Sequence, residues 1–335
     1  MSPSKPRLEP VRRDVPRAPE RSRRRSSFTP FPPARLIPLD GEAPEDVVVD
    51  ASGCVLTGVA GGRILRINPV TNEQQIIGDT GGRPLGLEVL ADGRVLVCDA
   101  DKGLLRLDPQ SGATETLVAA VGGVPLRFCS NAVQASDGTI YFTEATSRFD
   151  FEHYVGSFLE HRGAGRLFRR DLDGTVHVLL ENLYFANGLA LTPDESALLF
   201  VETGAYRISR LELSGKSAGR VHVIADNLPG MPDNMSKFID GHVWVPLTNP
   251  RSRALDLLAV LPAAAAKLAW AIPERLRPAG RKTTWLMAFD QHGEIVADLQ
   301  ESRADYRFVT GVAEHRGQLY CAGLQNKAIL ALELP

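Results

Sequence analysis

The chain has 335 residues, 44% of them apolar and 23% charged, with 30 Gly, 23 Pro and a formal net charge of −2. That is the balance of a globular protein that buries a sizeable core without staples, and it excludes a wholly disordered chain. Four scattered cysteines (Cys54, Cys98, Cys129, Cys321) with no C-x-x-C pair predict buried free thiols rather than a disulfide frame or a zinc site.

Residues 1–25 hold nine Lys or Arg, among them Arg23, Arg24 and Arg25, against three acids, so the remainder is mildly acidic. Such a run can meet nucleic acid or anionic membrane. Its Arg, Pro and Ser content, with few large apolar residues, predicts instead a disordered lead-in over residues 1–30 and no nucleic-acid partner. No apolar segment follows the arginines, so neither a secretory signal nor a membrane anchor is legible there. The expected location is cytoplasmic, with peripheral membrane contact open.

From residue 31 onward one unit recurs: an alternating apolar run, a turn with Asp-Gly or similar, a second run, and a "GxLxRxD"-like third strand. The copies begin at Glu45, Leu85, Asn131, Asn187, Asp233 and Val309. Repetition of short strands every few tens of residues fits propeller blades better than a sandwich, whose strands do not repeat in sequence. The expected fold is all-β, a six-bladed β-propeller over residues 31–335, with the run at 34–39 pairing beside the C-terminal strands. Two insertions interrupt the copies. Residues 149–162 space Tyr154, Phe158 and Leu159 as a helix does, and residues 252–277 are Ala/Leu-rich, broken by Pro262 and Pro273. Both are expected at the tunnel mouth, the second as a lid or an interfacial helix.

The first strand of a propeller blade lines the central channel, so the residues opening the six copies converge on one axis. Glu45, Asn131, Asn187 and Asp233 are oxygen donors, and Asn234 is a fifth. Two carboxylates and three amides, with no Cys or His, favour calcium over zinc or iron.

The segments "GRLFRRD…LLENLYFANGLALTPDESALLFVETGAYRI" and "VIADNLPGMPDN" resemble strictosidine-synthase-like propellers of the gluconolactonase and paraoxonase superfamily, over residues 35–335. The resemblance implies metal ligands at Glu45, Asn131, Asn187, Asp233 and Asn234, and a small-molecule substrate. Departures from the pattern matter as well. Thr310 stands where the condensing enzyme of the family has its glutamate, and Asp99 where paraoxonases have a histidine. Ala132 replaces the Asp that helps a second ion in many relatives, so one metal is expected.

The function expected from this set is a calcium-dependent hydrolase of lactones or related esters, with Asp233 as catalytic ligand and general base. Asp99, Arg127 and Glu202 are candidates for substrate contact, and Glu144 and Arg207 share their strand-end setting. The alternatives are a condensing enzyme of the strictosidine-synthase kind, and a non-catalytic propeller plugged by a metal.

Overall fold

Apolar runs of period two, separated by turns such as Asp92-Gly93 with the glycine at φ 85°, form six four-stranded antiparallel sheets in chain order. The computed structural model describes residues 5–273, 276 and 280–334. The ends of two expected segments, residues 1–4 of the lead-in and 274, 275 and 277 of the second insertion, lie outside the described residues.

Blade 1 is built from Val47–Val49, Val55–Gly58, Arg63–Ile67 and Gln74–Asp79, and the next four blades follow the same order. Blade 6 takes three strands from the C-terminus, Val309–His315, Gln318–Gly323 and Ala328–Glu333, and its outer strand, Ala34–Pro38, from the N-terminus. Ile37 pairs with Ile329 in that antiparallel ladder and is fully buried. The expected closure is thus present, and it removes an open sheet edge at the seam. Neighbouring blades pack face to face through aliphatic clusters, for example Leu56, Ile64 and Ile77 of blade 1 against Leu87, Val95, Val97 and Leu105 of blade 2. Each such side chain contributes about 1.5–3 kcal/mol on full burial.

Both insertions leave their blades between the second and third strands, which places them on one end of the tunnel. The first gives a short turn, Phe151–His153, and helix α1, Val155–Glu160; Asp150 caps the turn by accepting from the His153 N–H. The second gives α2, Arg253–Val260, capped by Ser252, and α3, Ala263–Ala271, which begins after Pro262. Leu159, Leu255, Leu258, Ala266 and Trp270 pack the three helices into one lid. No described helix is long and apolar enough to cross a membrane.

The lead-in departs from the disorder expected of it. Residues 5–30 run as a strap over the lid and blade 5. Leu8 is buried in the lid core, Val11 and Arg13 donate backbone bonds to Glu160 and Ala259, and Arg21 grips Asp298 at 2.5 and 2.7 Å while stacking on Trp285. Composition suggested too few apolar residues to order this stretch. Its order comes instead from one buried leucine, distant carbonyls and arginine contacts, partners that no local pattern reveals.

Candidate metal centre in the central tunnel

The innermost strands carry the site, and a register slip aims it. In blades 2, 3, 4 and 6 the pairing of first and second strands shifts between Pro84 and Leu87, Cys129 and Ala132, Ala186 and Leu189, and Val309 and Gly311. The shifts of blades 2, 3 and 4 span Leu85, Asn131 and Asn187, which open their repeats, and that of blade 6 begins at Val309. A bulge at this point turns the side chain off the pleat and toward the axis. Close approach of adjacent inner strands requires glycine beside the slip. A Cβ on Gly188 would meet the Asn234 backbone at 2.4 Å, and one on Gly311 would meet Asp46 at 2.5 Å. Bonds between blades then lock the ring: Gly188 N–H donates to the Asp233 carbonyl at 3.2 Å, and Asn234 N–H to the Thr310 carbonyl at 3.0 Å.

All five expected ligands meet at the waist of the tunnel, each at most 8% exposed. Asn131 donates to Asn234 at 3.2 Å, and Asn234 donates to both Glu45 oxygens at 3.3 and 3.2 Å. Asn187 donates to Asp233, and the Ser130 hydroxyl donates to the Asn187 side-chain oxygen Oδ1 at 2.9 Å. The five residues thus fall into two hydrogen-bonded groups, Asn131–Asn234–Glu45 and Ser130–Asn187–Asp233, which meet through the chain neighbours Ser130–Asn131 and Asp233–Asn234.

Burial pushes the Glu45 carboxyl up to about 8, aided by repulsion from Asp233, and burial likewise pushes Asp233 up to about 8, aided by Asp46. Asp46 is itself driven well above the carboxylate range by burial and by Glu45. Three carboxyls buried so close to one another form a place where positive charge is strongly favoured. Among the described residues no three His, Cys, Asp or Glu side chains gather tightly enough to hold a metal alone. A metal centre here would depend on the amides, which can turn oxygen or NH2 toward the axis. The donor set fits a hard cation such as calcium and offers no sulfur or imidazole for a softer one.

The waist separates two cavities. On the lid side, Glu45, Ser130, Asn187, Thr203 and Asp233 floor a cavity of about 200 Å³ walled by aromatic side chains, with Val155 of α1 and Leu255 of α2 above. Phe158 and Phe185 lie 4.7 Å apart, and Phe128 meets Phe185 edge-on at 5.4 Å. Phe185 and Phe308, which precede the inner strands of blades 4 and 6, hold φ of 60° and 56°. A bulky residue in this left-handed region is strained, by roughly 1–3 kcal/mol, and the strain points both rings into the cavity wall. On the opposite end, Asp46, Glu88 and Asn131 help line a wider mouth of about 460 Å³.

The candidates for substrate contact are not brought to this cavity. Asp99, fully buried, accepts from the backbone N–H groups of Arg83, Asp101 and Lys102. Glu144 accepts from the Arg127 N–H at 2.8 Å and pairs with Arg166. Glu202 accepts from the Tyr184 N–H at 2.9 Å and pairs with Arg207. Blades 2, 3 and 4 thus repeat one device, in which the acid ending the second strand ties down the chain entering the first. Arg127 is exposed and does not line the lidded cavity. These groups serve the blades because a buried carboxylate must find donors, and the nearest are backbone N–H groups.

Sequence reasoning passed over Ser130, Thr203, Phe128, Phe185 and Arg83. Ser130 and Phe185 stand next to expected ligands or within the "YFANG" motif, so adjacency could have flagged them. Arg83 is 8% exposed, lies 5.0 Å from the Phe151 ring centre and is attracted by Glu45. His153 and His161, which flank α1, are both buried, and His161 is the C-cap of α1 at φ 50°.

A family model described as strictosidine synthase matches residues 131–216, and one described as strictosidine synthase-like, N-terminal, matches residues 33–67. Protein STRICTOSIDINE SYNTHASE-LIKE 6 of Arabidopsis thaliana is 32% identical over 298 residues, 87% of this chain and 79% of that protein. Adipocyte plasma membrane-associated protein of Salmo salar is 32% identical over 312 residues, 84% of this chain and 73% of that protein. A gluconolactonase from Xanthomonas campestris superposes with a TM-score of 0.65 at 18% identity, over 100% of this chain and 99% of that one. Regucalcin from Agrobacterium tumefaciens, a calcium-binding protein, gives 0.64 at 15% identity, over 90% and 94%. At such identities the structural likeness shows the propeller fold. The sequence matches show more, and by them the chain belongs to the strictosidine synthase-like family.

Proposed function

We propose that this protein is a calcium-dependent hydrolase of lactones or related esters. The observation that carries the reading is a floor of buried carboxyl and amide groups, Glu45, Asn187 and Asp233, beneath an aromatic cavity of about 200 Å³. That combination suits a small, largely apolar ester whose polar carbonyl end must reach the floor. The names of the gluconolactonase and the calcium-binding regucalcin with the same fold support it.

Held by Glu45, Asn131, Asn187, Asp233 and Asn234, calcium would polarise the ester carbonyl and favour the charge that develops on its oxygen. Asp233 takes the proton from a water as that water attacks the carbonyl carbon, and returns it to the leaving oxygen when the C–O bond breaks. Asn187 orients the Asp233 carboxyl, and Ser130 fixes the Asn187 amide in turn. Phe128, Phe158 and Phe185 seat the apolar part and exclude bulk water. The condensing alternative draws no support from the last blade, where Thr310 spends its hydroxyl on the Glu45 backbone carbonyl.

The test is a hydrolysis screen over sugar lactones, acyl lactones and aryl esters, with calcium and with chelator. Chelator-sensitive turnover of one class is expected. Absence of turnover for every class by calcium-loaded, folded protein refutes the reading and leaves the metal-plugged scaffold.

A further inference from the structure

The lid has two apolar faces, and only one of them is used inside the protein. In α2, Leu255 and Leu258 pack in the lid core and Ala259 is buried beside them in sequence, and in α3 Ala266, Ala269 and Trp270 pack in the same core. That i, i+3, i+4 spacing completes the inner stripe of each helix. The other side still carries large apolar residues: Leu257 is 56% exposed, Val260 44%, Leu268 72% and Ile272 38%, and Leu276 just beyond is 67% exposed. Five large exposed apolar side chains within 20 residues are more than a solvated cover needs, since surface leucines scattered singly are the ordinary case.

A second observation states what would meet it. Leu257 and Val260 share one groove, of about 950 Å³, with Arg17 and Arg23 of the strap, Arg253 of α2, and Arg281. Among the described residues Arg17, Arg23 and Arg253 form no ion pair, whereas the one acid lining that groove, Asp256, is held by Arg251 at 3.0 Å. Exposed Arg24, Arg25 and Lys282 extend the basic margin past the groove. Apolar side chains rimmed by unpaired arginines complement a surface that is apolar at depth and anionic at its rim.

We propose that this face of the lid and strap docks on an anionic phospholipid bilayer, with Leu257, Val260, Leu268 and Leu276 entering the headgroup and acyl boundary while Arg17, Arg23, Arg253 and Arg281 bind lipid phosphates. The helices lie in the interface plane, as their length requires.

The experiment is co-sedimentation of the full chain with vesicles of phosphatidylcholine alone or with added phosphatidylserine. Wild type should bind the anionic vesicles, bind the neutral ones at least tenfold more weakly, and be released at high salt. Arg17→Glu, Arg23→Glu and Arg253→Glu together should weaken anionic binding by roughly a hundredfold, about fivefold or more for each basic residue. Leu257→Ser, Leu268→Ser and Leu276→Ser together should abolish it with an unchanged melting temperature, because all three side chains are exposed. Equal binding to neutral and anionic vesicles, or full retention by either triple variant, overturns the proposal. So does a dimer in sedimentation that the leucine substitutions disperse, because the face would then belong to a second copy of the chain.

Discussion

In the presence of chelator the protein should lose stability as pH rises from about 5 to 8, and calcium at the proposed site should remove that slope. Glu45 and Asp233 titrate near 8 in the folded chain, against ordinary values of 4.5 and 3.8, chiefly because both are buried. Between those limits the folded state holds protons that the unfolded state has released, so stability falls with rising pH. The contribution is fully present below the unfolded values and lost above about 8. Each carboxyl that titrates inside the window costs on the order of 1 kcal/mol per pH unit, so the two together cost up to about 3, and Asp46 acts in the same direction. A chain of this size unfolds with an entropy of about 0.7 kcal/mol/K, which converts the slope into a drop in Tm of about 2–4 °C per pH unit. Calcium at the proposed site would hold the carboxylates ionised in the folded state and flatten the slope, and at a hundredfold excess over Kd it would add about 2.7 kcal/mol, or about 4 °C. Calorimetry at pH 5.5, 6.5 and 7.5, with chelator and with calcium, reads both effects. A chelated protein whose Tm is flat or rises over this range, or a slope that calcium leaves unchanged, refutes the reasoning.

Asp233→Asn should lower any hydrolytic rate by roughly two to four decades, the scale of removing a general base. Thr310→Ala should leave the rate within a few-fold and cost about 1 kcal/mol of stability, because its hydroxyl only ties the Glu45 carbonyl; kinetics showing the reverse ranking would move the chemistry to the last blade. Ile37→Ala, at the strand that closes the ring, should cost about 2–5 kcal/mol in a denaturant titration. A loss well under 1 kcal/mol there would mean that the N-terminal strand does not carry the closure.

The propeller and the five residues at its axis were legible because both are written at short range. A strand alternates with period two, a tight turn needs Asp-Gly or its equivalent, and a unit that recurs in sequence recurs in space. Once the copies are in phase, Glu45, Asn131, Asn187 and Asp233 must converge, since the first strand of every blade faces the same axis. The reading of Asp99 and Glu202 as substrate contacts has no such phase behind it. Their strand-end positions suggest a mouth, yet whether a carboxylate there meets substrate or backbone depends on where the preceding loop passes, and the loops before blades 2 and 4 deliver their N–H groups to it.

By itself, then, the sequence determined the number of blades, the closure by the run at 34–39, the two helical insertions and the oxygen-rich axis. Tertiary structure alone decided what covers that axis. Leu8 meets Trp270, Arg21 meets Asp298, and Phe128, Phe158 and Phe185 from separate segments close over the floor. These contacts join residues far apart in the chain, and nothing in a local pattern specifies a partner at that separation. They arise because a ring of blades leaves one open end, and burying apolar surface there favours whichever segments can reach it.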